Sequence, residues 1–281
     1  MPFEDAAAIA APTRSAPRRG RGDAQRACPS WRAALALLRS ETRLFLRDGP
    51  SAVFSLLVPS LVLLGAGLAI PGMRETISDP SRGWVGLSLI QAYTPSVLTM
   101  ALATPALSTL PVAIATHRER GVLSRMATTP VRPTAVLMVQ GVISLAAFLA
   151  ASLLTLLVSW TVFEAPLPQR PIVAGLALLL GAISVFGLGL LIAARARTTS
   201  AATNTGMLLY FPLLFLAGMW TPGPMTPDIV EAVATYTPVG ALSQALTMAW
   251  FTTQFPLTQL IVVMIWAAVL YPLAARLFRW V

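Results

Sequence analysis

The chain has 281 residues, of which 56% are hydrophobic and 11% charged, with a formal charge of +9 and a mean hydropathy of +0.72. Soluble domains carry about 25% charged residues, so an ordinary soluble fold is excluded, and the long uncharged runs between short charged clusters point to a chain dissolved in lipid. All twenty basic side chains are arginine, and there is one histidine and one cysteine. This composition excludes a Walker-A phosphate loop, Schiff-base chemistry, a zinc site within the chain and an internal disulfide.

Residues 1–30 are rich in Ala, Pro, Arg, Gly and Ser. No apolar run precedes residue 51, so they do not read as a signal peptide. They read as a disordered basic cytosolic arm, held near anionic lipid rather than nucleic acid. Cys28, in a reducing compartment, reads there as an inert thiol. Trp31 to Arg47 is predicted as an amphipathic helix. At 100° per residue Trp31, Ala34, Leu35, Leu38, Thr42 and Phe45 share a face, and Arg32, Arg39, Arg43 and Arg47 form an adjoining basic stripe. Such a helix lies in the headgroup plane with its arginines on lipid phosphates.

Six uncharged stretches follow, 49–73, 83–116, 133–163, 171–194, 198–220 and 257–275. Each can supply the ~20 helical residues that cross a hydrocarbon core about 30 Å thick. The expected fold class is therefore all-α, a polytopic membrane protein with six transmembrane helices. The second stretch is longer than a bilayer requires and contains Pro95, Pro105 and Pro111, so a kinked helix that continues beyond the membrane is expected. With the N-terminus inside, seventeen arginines fall on inner segments and only Arg74, Arg82 and Arg170 on outer ones. That asymmetry places both termini in the cytosol.

Thr221 to Pro256 breaks the pattern. It opens with turn chemistry, TPGPMTP, and continues through Asp228 and Glu231 into a stretch interrupted by Pro238 and Gly240. A full crossing would carry Arg276 and Arg279 outside. An outer re-entrant pair of half-helices, packed on protein, fits better.

No Asp, Glu, His or Arg lies in the core of an expected span. The deeper polar residues, such as Gln91, Gln140, Ser184 and Asn204, suit interhelical hydrogen bonds. No HExxH, GxSxG or aspartate pair is present, nor a charged pore ring. The membrane part thus shows no motor of its own: either it is a passive scaffold, or its energy arrives through a cytosolic contact. The inner loop HRERGVLSRMATTPVRP is the candidate: as a helix it would group Val122, Leu123 and Met126 into an apolar patch among Arg118, Arg120 and Arg125.

Three of these segments, in this order and topology, resemble the permeases of ABC type-2 exporters, the group of daunorubicin-resistance and polysaccharide or teichoic-acid export permeases. The segment RLFLRDGPSAVFSLLVPSLVLLGAG resembles the start of such permeases. The loop ERGVLSRMATTPVRP resembles their coupling helix, through Glu119, Arg120, Gly121, Thr129 and Pro130. The run FPLLFLAGMWTPGPMTPDIVEAVATYTPVGALSQAL resembles their fifth span and outer helices. The resemblance covers residues 31–281 as one permease domain. It implies a transport subunit without its own catalytic or metal site, working with two separate P-loop ATPase subunits that bind ATP and magnesium, and with a second permease, either another copy of this chain or a homologue. It also implies a bacterial plasma membrane and an amphipathic or lipid-linked substrate: a drug, a polyketide or a glycolipid. Glu119, Arg120, Gly121, Val122, Leu123 and Met126 are then expected to couple to the ATPase, and Arg39, Arg43 and Arg47 to anchor the interfacial helix. Phe54, Tyr210, Phe211 and Phe215 are expected along the substrate path. The short outer loops depart from the lipoprotein and macrolide exporters, which carry a large periplasmic domain. A secondary transporter and a membrane enzyme or scaffold acting without an ATPase stay open as alternatives.

Overall fold

The computed structural model of the chain describes residues 31–77, 86–121, 134–221 and 226–277. In chain order these form α1 (Trp31–Arg47), α2 (Gly49–Leu56), α3 (Val58–Ala69), α4 (Leu89–Thr104), a π-helical turn (Pro105–Thr109) and α5 (Leu110–Glu119). Then come α6 (Thr134–Phe163), α7 (Pro171–Arg195), α8 (Thr199–Leu216), α9 (Asp228–Thr235), α10 (Pro238–Phe251) and α11 (Leu257–Leu277). No strand occurs among the described residues; Thr76 and Ser88 meet in an isolated bridge. Lipid leaves backbone groups no outside partner, so helices that satisfy themselves are the expected solution.

Among the described residues four helical segments are long and apolar enough to cross a membrane: Leu89–Glu119, Val136–Phe163, Pro171–Arg195 and Leu257–Leu277. A fifth is gained if α2 and α3 count as one span. The stretch 49–73, expected to supply one span, is divided between α2 and α3, which meet at a 55° bend. Pro59, in the first turn of α3, has no N–H to return to the Ser55 carbonyl, and its ring crowds the preceding turn. Helix α8 has 18 residues. Its first half carries Thr199, Ser200, Thr203, Asn204 and Thr205, which keeps it less apolar than the other spans.

The segment Leu89–Glu119 is the axis of the bundle, with 78% of its most apolar window buried against 22% for α11. Its N-terminus is fixed by a capping box: Ser88 Oγ accepts from the Gln91 N–H, and Gln91 Oε1 accepts from the Ser88 N–H. Gln91 Nε2 also donates to the carbonyls of Phe163 and Glu164, at 3.0 and 3.3 Å, which closes the end of α6. Midway, the Leu110 N–H bonds to the Pro105 carbonyl, five residues back. Pro111 has no N–H, so the carbonyl turn before it lacks an ordinary helical donor.

The Ala106 and Leu107 carbonyls in that turn press against Gly189 of α7 and Gly206 of α8, where a methyl group would have no room. Helices in lipid gain little from hydrophobic burial against each other and depend on close packing and weak Cα–H···O contacts. The two glycines let three helices meet at backbone distance. Around them Leu98, Leu102, Leu107 and Leu110 pack with Val185 and Ile192, and with Leu242 and Leu246 of α10.

Candidate functional site

The end of α5 holds three consecutive polar residues, His117, Arg118 and Glu119. Successive helical side chains fan out by about 100°, so each reaches a different neighbour. His117 turns to α1 and α6, Arg118 to the end of α7, and Glu119 to the start of α8.

Arg118 Nη1 donates to the carbonyl of Ala193 at 2.9 Å and to that of Ala196. These carbonyls close the last turn of α7, where orphan acceptors and the negative end of the helix dipole favour a cation. Glu119 Oε2 accepts from the Thr199 N–H at 2.9 Å and from Thr199 Oγ1 at 2.6 Å. Those donors belong to the first turn of α8, the end that favours an anion. Thr198 Oγ1 accepts from the Ala201 N–H at 3.2 Å and completes the cap. A third link joins the Thr116 and Thr199 hydroxyls at 3.3 Å. The short connection from α7 to α8 is thus clamped by two adjacent residues of α5.

His117 Nε2 lies 3.2 Å from Glu41 Oε2 of α1 and 3.1 Å from Gln140 Nε2 of α6. Gln140 Nε2 donates to Glu41 Oε2 at 2.7 Å. The side chains of Glu41 and His117 are 11% and 16% exposed, which makes this a mostly desolvated junction of three helices. The hydrogen bond with His117 holds the Glu41 carboxyl below the usual carboxylate range, against the opposing effect of its burial.

The expected coupling residues divide at this point. Glu119 is the last residue of α5, and Arg120 is its exposed C-cap. Gly121 has φ +65°, a left-handed conformation that only glycine adopts without strain. Glu119 therefore belongs to α5, which ends before Gly121. Val122, Leu123 and Met126 lie outside the described residues.

In α1, Arg39, Arg43 and Arg47 are exposed, while Leu37, Leu38, Glu41, Thr42 and Phe45 are half-buried. Tyr210 is 2% exposed and shares a hydrogen bond of 2.8 Å with Thr104 in the helical core. Phe211 and Phe215 are exposed, one turn apart on α8, with rings 6.4 and 6.5 Å from Trp220. Phe54 is half-buried on α2.

Among the polar residues expected deep in spans, Gln91 and Gln140 bridge helices as described. Asn204 is exposed, and Ser184 Oγ is buried without a partner among the described residues. Sequence reasoning did not single out Glu41 or Thr199, and it placed Arg118 only beside the apolar patch of the inner loop. A signal for Glu41 was present: it is the one carboxylate in an arginine-rich amphipathic helix, next to the apolar face.

A family model described as ABC-2 type transporter matches residues 32–251. No curated protein matches the chain. The matched domain is the transmembrane component of such transporters and is not itself an ATPase. The match takes in the bent α2–α3 pair, the π turn, the fan of polar residues on α5 and the α9–α10 segment. With its all-helical architecture and four or five candidate spans, the chain belongs to the ABC-2 type transporter family and is a multi-pass membrane permease.

Proposed function

We propose that the chain is the membrane half of an ATP-driven exporter in a bacterial plasma membrane, moved by separate P-loop ATPase subunits that act on the inner loop after Glu119. The observation that carries this reading is the fan on α5. A push on the loop is delivered at once to α1 and α6 through His117, to α7 through Arg118 and to α8 through Glu119. A loop serving only as a topological anchor has no need of links to four helices.

In this reading the chain holds no cofactor, and ATP with magnesium resides in the two partner ATPases. A second permease copy completes the pathway, and an amphipathic or lipid-linked substrate crosses: a drug, a polyketide or a glycolipid. The exposed Phe211 and Phe215 face it. Both termini are cytosolic, and α1 lies along the inner lipid surface on Arg39, Arg43 and Arg47. The α2–α3 pair and α8 complete six spans. The α9–α10 pair is the outer re-entrant segment. With 14 residues α10 is too short to cross, since about 20 are needed. Trp266, nine residues into α11, donates to the Tyr236 carbonyl in the turn between α9 and α10, in keeping with a turn that dips below the surface.

The test pairs two variants, Val122→Asp with Met126→Asp, and Glu119→Ala. The first should abolish export and co-purification of the ATPase, because a docking helix is anchored by few apolar side chains and tolerates no unpaired buried carboxylate. The second should keep the ATPase bound and lower export severalfold by unclamping α8. Wild-type export and co-purification in both would place the motor elsewhere.

A further inference from the structure

At the end of the bundle opposite the α5 fan, a cavity of about 370 Å³ opens between α4, the end of α8, α9, α10 and the start of α11. Its size is at the lower end of small-ligand pockets, which run from about 300 to 1,000 Å³. The lining is unusual for a membrane bundle. Half of the described lining residues carry a hydroxyl or an amide, including Ser96, Gln244, Thr247, Thr252 and Gln259, with Glu231 as the single charged residue among them.

Part of this lining is internally satisfied. Ser243 Oγ donates to the Ala217 carbonyl at 2.7 Å, Gln244 Nε2 to the Glu231 carbonyl at 2.8 Å, and Thr252 Oγ1 to the Met248 carbonyl at 2.9 Å. Part is not. The Thr247 hydroxyl makes no hydrogen bond among the described residues. Gln259 has only a long contact of 3.4 Å from its Nε2 to Gln244 Oε1, which leaves its own oxygen unengaged. Leu216 and Met248 provide apolar wall beside these groups.

The chemistry narrows the ligand. Among the described residues no arginine or histidine lines the cavity and one carboxylate does, so a phosphate or another anion is disfavoured by them. No aromatic ring is among these described lining residues either, so they form no cage of the kind that recognises an ammonium group. Hydroxyls and primary amides both donate and accept, which matches ligand hydroxyls, themselves donors and acceptors. The surrounding walls are helices of the membrane bundle, so a ligand arriving along them brings an apolar chain.

We propose that this cavity binds an amphiphile through an uncharged, hydroxyl-rich headgroup, with Thr247 and Gln259 as its free hydrogen-bonding groups. The site is distinct from the α5 fan. Binding there requires neither ATP nor a partner, so its failure would leave the transport reading standing.

The experiment uses the full chain in phosphatidylcholine nanodiscs and a photoreactive octyl glucoside as probe, with labelled residues mapped by mass spectrometry. Saturable labelling is expected on residues 216–259, displaced by octyl glucoside and not by octyl phosphocholine. In Thr247→Val with Gln259→Leu the apparent affinity should fall about tenfold, as expected when ligand hydrogen bonds are lost. Thr247→Val alone removes no hydrogen bond among the described residues and should weaken labelling by a smaller factor with the thermal transition unchanged. Unchanged labelling in both variants overturns the proposal, as does equal displacement by octyl phosphocholine. Equal displacement by free glucose overturns the amphiphile assignment.

Discussion

Glu41 lies in a helix whose other charges are all arginine, and yet its carboxylate turns to the protein. The hydrogen bonds from His117 and Gln140 make that placement favourable only while the carboxyl is ionised, which is why its folded-state pKa lies below the ordinary 4.5. A depressed carboxyl pKa contributes stability that is fully present above the unfolded value and is lost as pH falls through the folded one. Glu41→Gln should therefore lower the thermal transition at pH 7. The difference from the wild type should shrink steadily below about pH 4.5, as protonation removes the same charge from the wild type. A difference that stays constant down to pH 3 would show that the charge of Glu41 is not what holds α1. The helical face of Glu41 could be read from periodicity, but its partners could not. Gln140 lies 99 positions away and His117 76, and nothing local in the sequence pairs them.

Among the elements, the π turn and its two facing glycines set the closest approach in the bundle. In Gly189→Ala the new methyl would meet the Ala106 carbonyl, and backbone cannot rotate aside as a side chain can. The expected cost is about 2–3 kcal/mol, the upper end for overpacking, seen as a lower unfolding temperature in detergent. Gly141→Ala in α6 is the matched control, since nothing lies within 4 Å of the added carbon. Helix propensity alone should leave that variant neutral or slightly stabilised. A pair of variants that behave alike would argue against a packing role for Gly189. Helices α6, α7 and α11 were legible to within two residues at each end, because a long uncharged run in lipid has no alternative to helix. The bend after Leu56 and the π turn were not. Prolines 59, 105 and 111 are visible in the sequence, but whether a proline bends, bulges or merely thins a helix depends on what packs beside it, here Gly189 and Gly206.

For the whole molecule, orientation rests on seventeen arginines against three. With Cys28 replaced by serine, single cysteines at Ser78 and Gln169 should react with an impermeant maleimide added to intact cells, and a cysteine at Arg197 should not. Labelling only after the membrane is opened would invert the bundle, and with it the sides assigned to the α5 fan and the hydroxyl-lined cavity. The cavity itself was beyond sequence reasoning. Its walls come from five helices, and the polar residues that line it are scattered from Ser96 to Gln259.

The π turn also sets a direction far from itself. A turn closed by bonds to the fifth residue back takes up one residue more than an α turn, so everything after it is rotated by on the order of 100° from where an unbroken α-helix would put it. His117, Arg118 and Glu119 follow that turn on the same helix, and they meet Glu41, Ala193 and Thr199 only in this phase. A substitution between Pro105 and Thr109 that restored ordinary helical bonding would swing all three side chains off their partners without altering one of them. The aim of the α5 fan is thus encoded well before it, in the middle of the helical segment.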